Sequence, residues 1–323
     1  MVFHRDNPFF RSAIRSVVDQ TFRDWELILV DNGSGLSAEA LGADLRSDER
    51  LRWVPLAQNL GIPGGHNAGV SAGRGEYVAL LDYDDLMLPS RLERQVDALR
   101  RNPRLGLVSA RAHRVDEAGR VLGAEFSLTD AREAYAYSQY AAPFPTPACL
   151  GRRELFLQLP YREHFPFAAD FDFQARAAER VEVAALPEVL LHYRWYGSQT
   201  TQSKAGEIEQ SRAAIRLITA RRRKGKDEAL ANALAALKTP TPDASTACAL
   251  AGEKAWADGL YSLAAYQARR RLVYRRTPAA FIGAFRLGAK AIAAARGVER
   301  SLAAKLFFNG PVKALALRSH RDE

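Results

Sequence analysis

Three carboxylates, Asp82, Asp84 and Asp85, fall within four positions directly after the apolar run Tyr77-Val78-Ala79-Leu80-Leu81. Carboxylates this close repel one another unless a cation lies between them. A hard divalent ion, Mn2+ or Mg2+, held by such a pair and by substrate phosphates fits the donor set. Side chains on a strand alternate with a period of two, so Asp82 and Asp84 face the same way if extended backbone persists to Asp84. The alternative is a solvated acidic turn that caps the helix starting near Pro89. A second acidic pair lies in Ala169-Asp170-Phe171-Asp172-Phe173, where a helix is expected to begin. Carboxylates in a first helical turn are favoured by the helix dipole, so capping is the plain use of both.

The elements that must position these groups follow from the apolar pattern. Asn7-Pro8 reads as a helix start, and Phe10, Ile14, Val17 and Val18 give helical spacing over 8–20. Glu26 to Val30 predicts a buried strand ended by Asp31-Asn32-Gly33-Ser34-Gly35. A short helix over 37–45 and a strand over 51–54 follow. Asn59-Leu60-Gly61-Ile62-Pro63-Gly64-Gly65-His66-Asn67-Ala68-Gly69 is a Gly-rich loop that runs into a helix and can meet a phosphate or sugar. It matches neither the dinucleotide fingerprint nor the phosphate-loop pattern. Beyond the strand at 77–81, a helix runs to about Arg101, a strand covers 105–112, and Asp116-Glu117-Ala118-Gly119 turns a hairpin. Alternating strands and helices predict an α/β layer with a largely parallel sheet. Ligands in such sheets bind beyond the carboxyl ends of strands, where Asp31, Asn32, Asp82 and Asp84 fall. Residues 127–147, with Tyr135, Tyr137, Tyr140, Phe144 and three prolines, read as an irregular segment over the site or packed into the core. A helix over 152–157, the helix near Asp170, a strand over 186–194 and a polar loop over 195–203 complete this part.

The remainder changes character. Residues 204–323 carry 23 Lys and Arg against 10 Asp and Glu, a net +13, whereas residues 1–203 are net −4. Residues 205–236 and 245–308 have helical spacing, with Thr239-Pro240-Thr241-Pro242 as a linker. Basic clusters at 221–224 and 269–276 with interspersed Phe and Leu suggest contact with an anionic surface, membrane or nucleic acid. Nucleic acid is disfavoured because no recognition motif is present. Cys149 and Cys248 are too far apart to suggest a metal site or disulfide framework, and fit a reducing cytoplasm. The opening residues do not read as a signal peptide, and no uncharged apolar run reaches a membrane span.

Together these motifs resemble the family-2 glycosyltransferases, inverting enzymes of the GT-A nucleotide-diphospho-sugar transferase fold. The likeness rests on Ser16 to Trp25 with Glu26-Leu27-Ile28-Leu29-Val30-Asp31-Asn32-Gly33-Ser34, on Asn59-Leu60-Gly61, Asn67-Ala68-Gly69 and Ala72 to Tyr77, on Leu81-Asp82-Tyr83-Asp84-Asp85 with Pro89, and on Leu186 to Arg194. It covers roughly 2–203, implying a GT-A domain over 1–203 and a basic helical region over 204–323. The fold expected is a Rossmann-like mixed, mainly parallel sheet.

The resemblance implies metal-binding roles for Asp82 and Asp84, with Asp84 the direct ligand, and donor contacts from Asp31, Asn32, Gly61, Asn67 and Asp82. It makes Asp170 the catalytic base and Asp172 the alternate, although Ala169 stands where relatives carry Glu. Tyr196 occupies a position where relatives often carry a metal-binding His. The donor implied is a UDP- or dTDP-sugar, and the acceptor a glycan or lipid-linked glycan of cell-surface polysaccharide synthesis. The basic tail would hold the enzyme on the inner face of the membrane. The competing reading is a non-catalytic binding or scaffold protein on the same fold. In the family a central first strand precedes the helix at 8–20, whereas six residues precede it here. The expectation is a native start upstream of Met1 and a stub beside strand 26–30.

Overall fold

The computed structural model describes residues 1–41, 43–197, 199–200, 204–225, 261–274 and 278–295, with positions 248, 251, 253 and 255 between them. The chain forms two compact units. One comprises Met1–Ser138 and Ala142–Gln199, the other Gln139–Ala141 and Thr200–Glu323.

The first unit opens with strand β1 (Val2–Phe3) and helix α1 (Phe10–Val18). Phe10, Ala13, Ile14 and Val17 form the buried face of α1, as their spacing requires. On its outer face Arg11 and Arg15 both reach Asp44, at 2.9 and 2.6 Å. Strand β2 (Leu27–Asp31) pairs in parallel with β1 and with β3 (Leu51–Pro55). Leu29 and Val30 are fully buried, the reason this strand reads as an unbroken apolar run. The segment expected as one helix at 37–45 is a 3-10 turn, Ala38–Leu41, followed by α2 (Ala43–Arg46). Helix α3 (Gly61–Ala72) packs closely on β1, and a Cβ at Gly65 would stand 2.5 Å from Val2 Cγ1.

A second sheet holds β4 (Tyr77–Ala79), β5 (Leu86–Met87), β6 (Leu105–Val115), β7 (Val121–Glu125), β8 (Leu150–Arg152) and β9 (Glu182–Arg194). Its order is β4-β8-β6-β9-β5, with β7 beside β6. The long central pair β6–β9 is parallel, and the remaining pairs are antiparallel. Helix α4 (Arg91–Arg101) buries Leu92, Val96 and Leu99 against this layer. Residues 127–147 are not the irregular segment expected. They contain α5 (Ala131–Tyr137), capped by the Asp130 carboxylate, which accepts from the N–H groups of Arg132 and Glu133. A 3-10 turn, Thr146–Ala148, then leads into β8. Helices α6 (Arg153–Gln158) and α7 (Ala169–Ala178) precede β9.

The two sheets part where the stub was expected. β1 contributes two residues, pairing Val2 with Val30 and Phe3 with Asp31, and the Met1 ammonium donates to Ile28 O at 2.9 Å. Past that bond β2 has no neighbour on this side among the described residues, and β4 is an edge of its sheet. A cavity of about 490 Å3 lies between Glu26–Ile28 and Tyr77–Leu81. Burial at its end lowers the Met1 amine to a pKa of about 6.

In the second unit, α8 (Ala205–Arg223), α9 (Tyr261–Tyr274) and α10 (Pro278–Ala294) are long helices. Small residues, among them Ala220, Ala264, Ala268 and Ala284, build its core beside Leu217 and Leu263. Arg216 is buried there, 2.5 Å from Glu209 Oε1 and 2.7 Å from Tyr140 O. No described helix is long and apolar enough to cross a membrane. The expected linker at 239–242 and the stretches 226–247 and 296–323 lie outside the described residues.

Candidate active site

The acidic motif lies in the turn between β4 and β5. The backbone of β4 stays paired as far as Leu80, whose N–H donates to Cys149 O at 2.9 Å. Beyond Leu81 it folds over, with Asp85 N–H donating to Asp82 O at 3.3 Å. Strand alternation therefore does not bring Asp82 and Asp84 together; the turn does, and it adds Asp85. Ligand oxygens of the three carboxylates lie within 4.8 Å of one another.

The end of β9 holds this turn. Arg194 N–H donates to Asp85 Oδ1 at 2.8 Å, and its guanidinium reaches Asp84 O at 2.9 Å and Glu117 O at 2.8 Å. Tyr196 donates its hydroxyl to Asp84 Oδ2 at 2.7 Å and accepts from Asn7 Nδ2 at 3.2 Å. From below, fully buried Arg91 donates to Leu80 O at 2.9 Å and Cys149 O at 3.1 Å.

The electrostatics fit a cation. Desolvation, followed by the charges of Asp84 and Asp170, pushes the Asp82 carboxyl up to about 7. Burial and the charges of Asp82 and Asp84 raise Asp85 well above the carboxylate range. Asp85 Oδ2 is buried without a hydrogen-bond partner. Three converging carboxylates, one of which also has an orphaned buried oxygen, suit a hard divalent cation such as Mn2+ or Mg2+ better than they suit one another.

Asp170 stands in the first turn of α7, directly after the left-handed Ala168 (φ 59°) and Ala169. Its charge, 88 positions away in sequence, is among those that raise the Asp82 carboxyl. Asp170 Oδ2 accepts from Thr146 Oγ1 at 2.7 Å, and Oδ1 from Phe171 N–H at 2.8 Å. Asp172 has a different place. It is 1% exposed, accepts from Arg176 Nε at 2.8 Å, and has Arg162 Nη1 at 3.7 Å. That buried ion pair occupies the Asp172 carboxylate, whereas neither Asp170 oxygen is paired with a guanidinium among the described residues.

The donor-site expectations need similar sorting. Asp31 is buried at the end of β2, and its Oδ1 accepts from Ser34 N–H at 2.8 Å. Asn32 lies beside it, but its amide is spent on the Gly-rich loop. Nδ2 donates to Gly61 O at 2.9 Å and Asn59 Oδ1 at 3.2 Å, while Oδ1 accepts from Leu60 N–H at 2.8 Å. Gly61 N–H donates to Asn59 Oδ1 at 2.8 Å. The loop N–H groups at 60 and 61 thus both have partners within the protein. Gly61 is needed for its backbone, at φ +71°. Asn67 bonds the backbone O and N–H of Tyr161, each at 2.9 Å.

Sequence reasoning missed the supporting residues Arg91, Thr146 and Arg194. Their types are common and only tertiary contacts reveal their work.

A mixed α/β fold with parallel strands β1–β3, and an acidic turn between β4 and β5 of the second sheet, is that of a GT-A type glycosyltransferase. The comparisons agree: residues 1–159 match the family model described as glycosyl transferase family 2. That match covers 159 of the 323 residues and supports a family-2 glycosyltransferase. The chain is 28% identical over 201 residues to an uncharacterised glycosyltransferase of Methanocaldococcus jannaschii, covering 59% of this chain and 68% of that protein. It is 26% identical over 208 residues to the amylovoran biosynthesis glycosyltransferase AmsE of Erwinia amylovora, covering 64% and 77%. The chain spans 63% of a Haemophilus influenzae relative and about 30% of two Rickettsia relatives. Among solved structures, S. aureus TarS 1-349 shares the fold, with a TM-score of 0.53 at 13% identity over 99% of this chain and 91% of that one.

Proposed function

We propose that this glycosyltransferase moves one sugar from a UDP- or dTDP-sugar to a glycan or lipid-linked acceptor of cell-surface polysaccharide synthesis, with inversion at the anomeric carbon. The observation that carries the reading is the acidic turn, where ligand oxygens of Asp82, Asp84 and Asp85 lie within 4.8 Å of one another and the charge of Asp170 helps to raise the Asp82 carboxyl. The setting is supported by relatives named for amylovoran and succinoglycan biosynthesis, AmsE and ExoO. The donor class is supported by the TarS structure in complex with UDP-GlcNAc.

The chemistry assigns one task to each group. An acceptor hydroxyl oxygen attacks the anomeric carbon from the face opposite the leaving group. Asp170 takes the hydroxyl proton as that bond forms. The bond from the anomeric carbon to the phosphate oxygen breaks, and its electron pair leaves with the nucleoside diphosphate. Asp82, Asp84 and Asp85 would hold a divalent cation, which would supply positive charge against that gained by the departing diphosphate. Arg194 and Tyr196 keep that turn in shape.

Incubation of the purified protein with a panel of sugar nucleotides and Mn2+ tests the reading. The expected result is nucleoside-diphosphate release from a UDP- or dTDP-sugar, with that donor raising the melting temperature. Thermal stabilisation without release from any donor would make the chain a binding protein on this fold.

The +13 region is read as a contact for an anionic bilayer, which would bring the site to a lipid-linked acceptor. Each basic residue near such a surface contributes about 1 kcal/mol. Sedimentation with anionic vesicles and not with neutral ones is expected. Equal binding to both, or to neither, refutes the membrane role.

A further inference from the structure

We infer that Thr146 is the positioning residue of the catalytic base, holding the Asp170 carboxylate through a hydroxyl whose hydrogen is itself directed by Gln174. The inference rests on the assignment of Asp170 as base. Thr146 Oγ1 lies 2.7 Å from Asp170 Oδ2, and Gln174 Nε2 lies 3.3 Å from the same hydroxyl and 3.3 Å from Phe144 O. Phe144 O is an acceptor only, so the group of Gln174 facing it is the amide NH2. One N–H of that amide goes to Phe144 O and the other to Thr146 Oγ1. A hydroxyl that accepts from the amide on one side is left with the carboxylate as the acceptor for its own hydrogen. The chain of donation therefore runs from Gln174 to Thr146 to Asp170.

The scaffold for this bond is stiff. Thr146 stands between Pro145 and Pro147, whose rings fix their own φ angles. It opens the 3-10 turn, where its carbonyl accepts Cys149 N–H at 3.0 Å. Gln174 is 1% exposed and lies one helical turn beyond Asp170 on α7. Asp170 Oδ1 accepts Phe171 N–H at 2.8 Å, so each carboxylate oxygen carries one donor. Bonds at both oxygens fix the rotation of the carboxylate about its Cβ–Cγ bond. Each oxygen keeps a further lone pair, and one of these takes the acceptor proton. A base held this way meets the hydroxyl without first losing rotational freedom.

The test compares Thr146→Val, which removes the hydroxyl at nearly constant shape, with Thr146→Ser, which keeps it. Nucleoside-diphosphate release is followed with water as acceptor, using the sugar nucleotide that gives the largest thermal shift. A hydrogen bond to a charged group of this kind is worth about 10–100-fold in rate. Thr146→Val is expected to lower kcat by that factor with the donor KM unchanged, and Thr146→Ser to stay near the wild-type value. Should the valine variant not fold, Thr146→Ala against Thr146→Ser makes the same comparison. Wild-type kcat without the hydroxyl overturns the inference, as does a serine variant impaired as much as the valine one. Asp170→Asn separates this from the parent assignment. If that variant is inactive while Thr146→Val is fully active, only the positioning role falls. If Asp170→Asn is active, both fall.

Discussion

Asp170→Asn is expected to slow nucleoside-diphosphate release about 10²–10⁴-fold while leaving donor binding intact. The substitution removes a proton acceptor at nearly constant volume. The new amide oxygen can still accept from Phe171 N–H, and the Thr146 hydroxyl can accept from the new amide NH2. Folding should therefore change little, and the loss should appear in kcat. Asp172→Asn is expected to do the opposite. Its carboxylate sits 2.8 Å from Arg176 Nε at 1% exposure, opposite a guanidinium that is itself 7% exposed. Leaving such a buried charge uncompensated costs about 3–5 kcal/mol. Denaturant unfolding should show that loss, with the rate per folded molecule unchanged. An inactive, stable Asp172→Asn beside an active Asp170→Asn would reverse the assignment of the two carboxylates.

The elements legible in the sequence are those long enough to show a period. Phe10, Ile14 and Val17 announce α1, Leu92, Val96 and Leu99 announce α4, and the unbroken run at 27–30 announces β2. Strands β5 and β8, of two and three residues, are too short to carry a pattern. Their antiparallel pairing with β9, and with β4 and β6, is a tertiary fact. Helix α5 was hidden because tyrosines and prolines around it outweighed the Asp130 cap. The same division holds at the site. Three acids after an apolar run mark Asp82–Asp85 from composition alone. The asparagines gave no such indication, because an Asn that binds a ligand and one that clamps backbone share the same letter. Asn32 and Asn67 both clamp backbone, and only their bonds to residues 59–61 and to Tyr161 show it.

Asp84→Ala is expected to abolish transfer, with a loss exceeding about 100-fold, the upper end of what changes one shell out from a metal cost. Metal-dependent donor binding should weaken in parallel, and excess EDTA should bring the wild-type protein to the same low rate. The fold should survive, since the contacts that hold the turn go mainly to its backbone and to Asp85. Arg194 bonds Asp84 through the carbonyl oxygen, which alanine keeps, and Asp85 through its own carboxylate. The cost falls on Tyr196, whose hydroxyl loses its 2.7 Å acceptor. Without a cation the variant should even gain stability at neutral pH. The Asp82 carboxyl is raised to about 7 by burial, by Asp84 and by Asp170. An acid whose folded pKa lies above its unfolded value contributes stability below the unfolded pKa and loses it as pH climbs through the folded one. Cation-free wild-type protein should therefore weaken between about pH 4 and pH 7. Removing Asp84 takes away part of the repulsion, and each kcal/mol relieved should raise the melting temperature about 2–4 °C at this chain length. Mn2+ should stabilise the wild-type protein at pH 7.5 and the variant hardly at all. The metal role of the acidic turn would be refuted by a variant that keeps full activity, or by a wild-type enzyme indifferent to EDTA. Equal stabilisation of both proteins by Mn2+ would place the ion elsewhere.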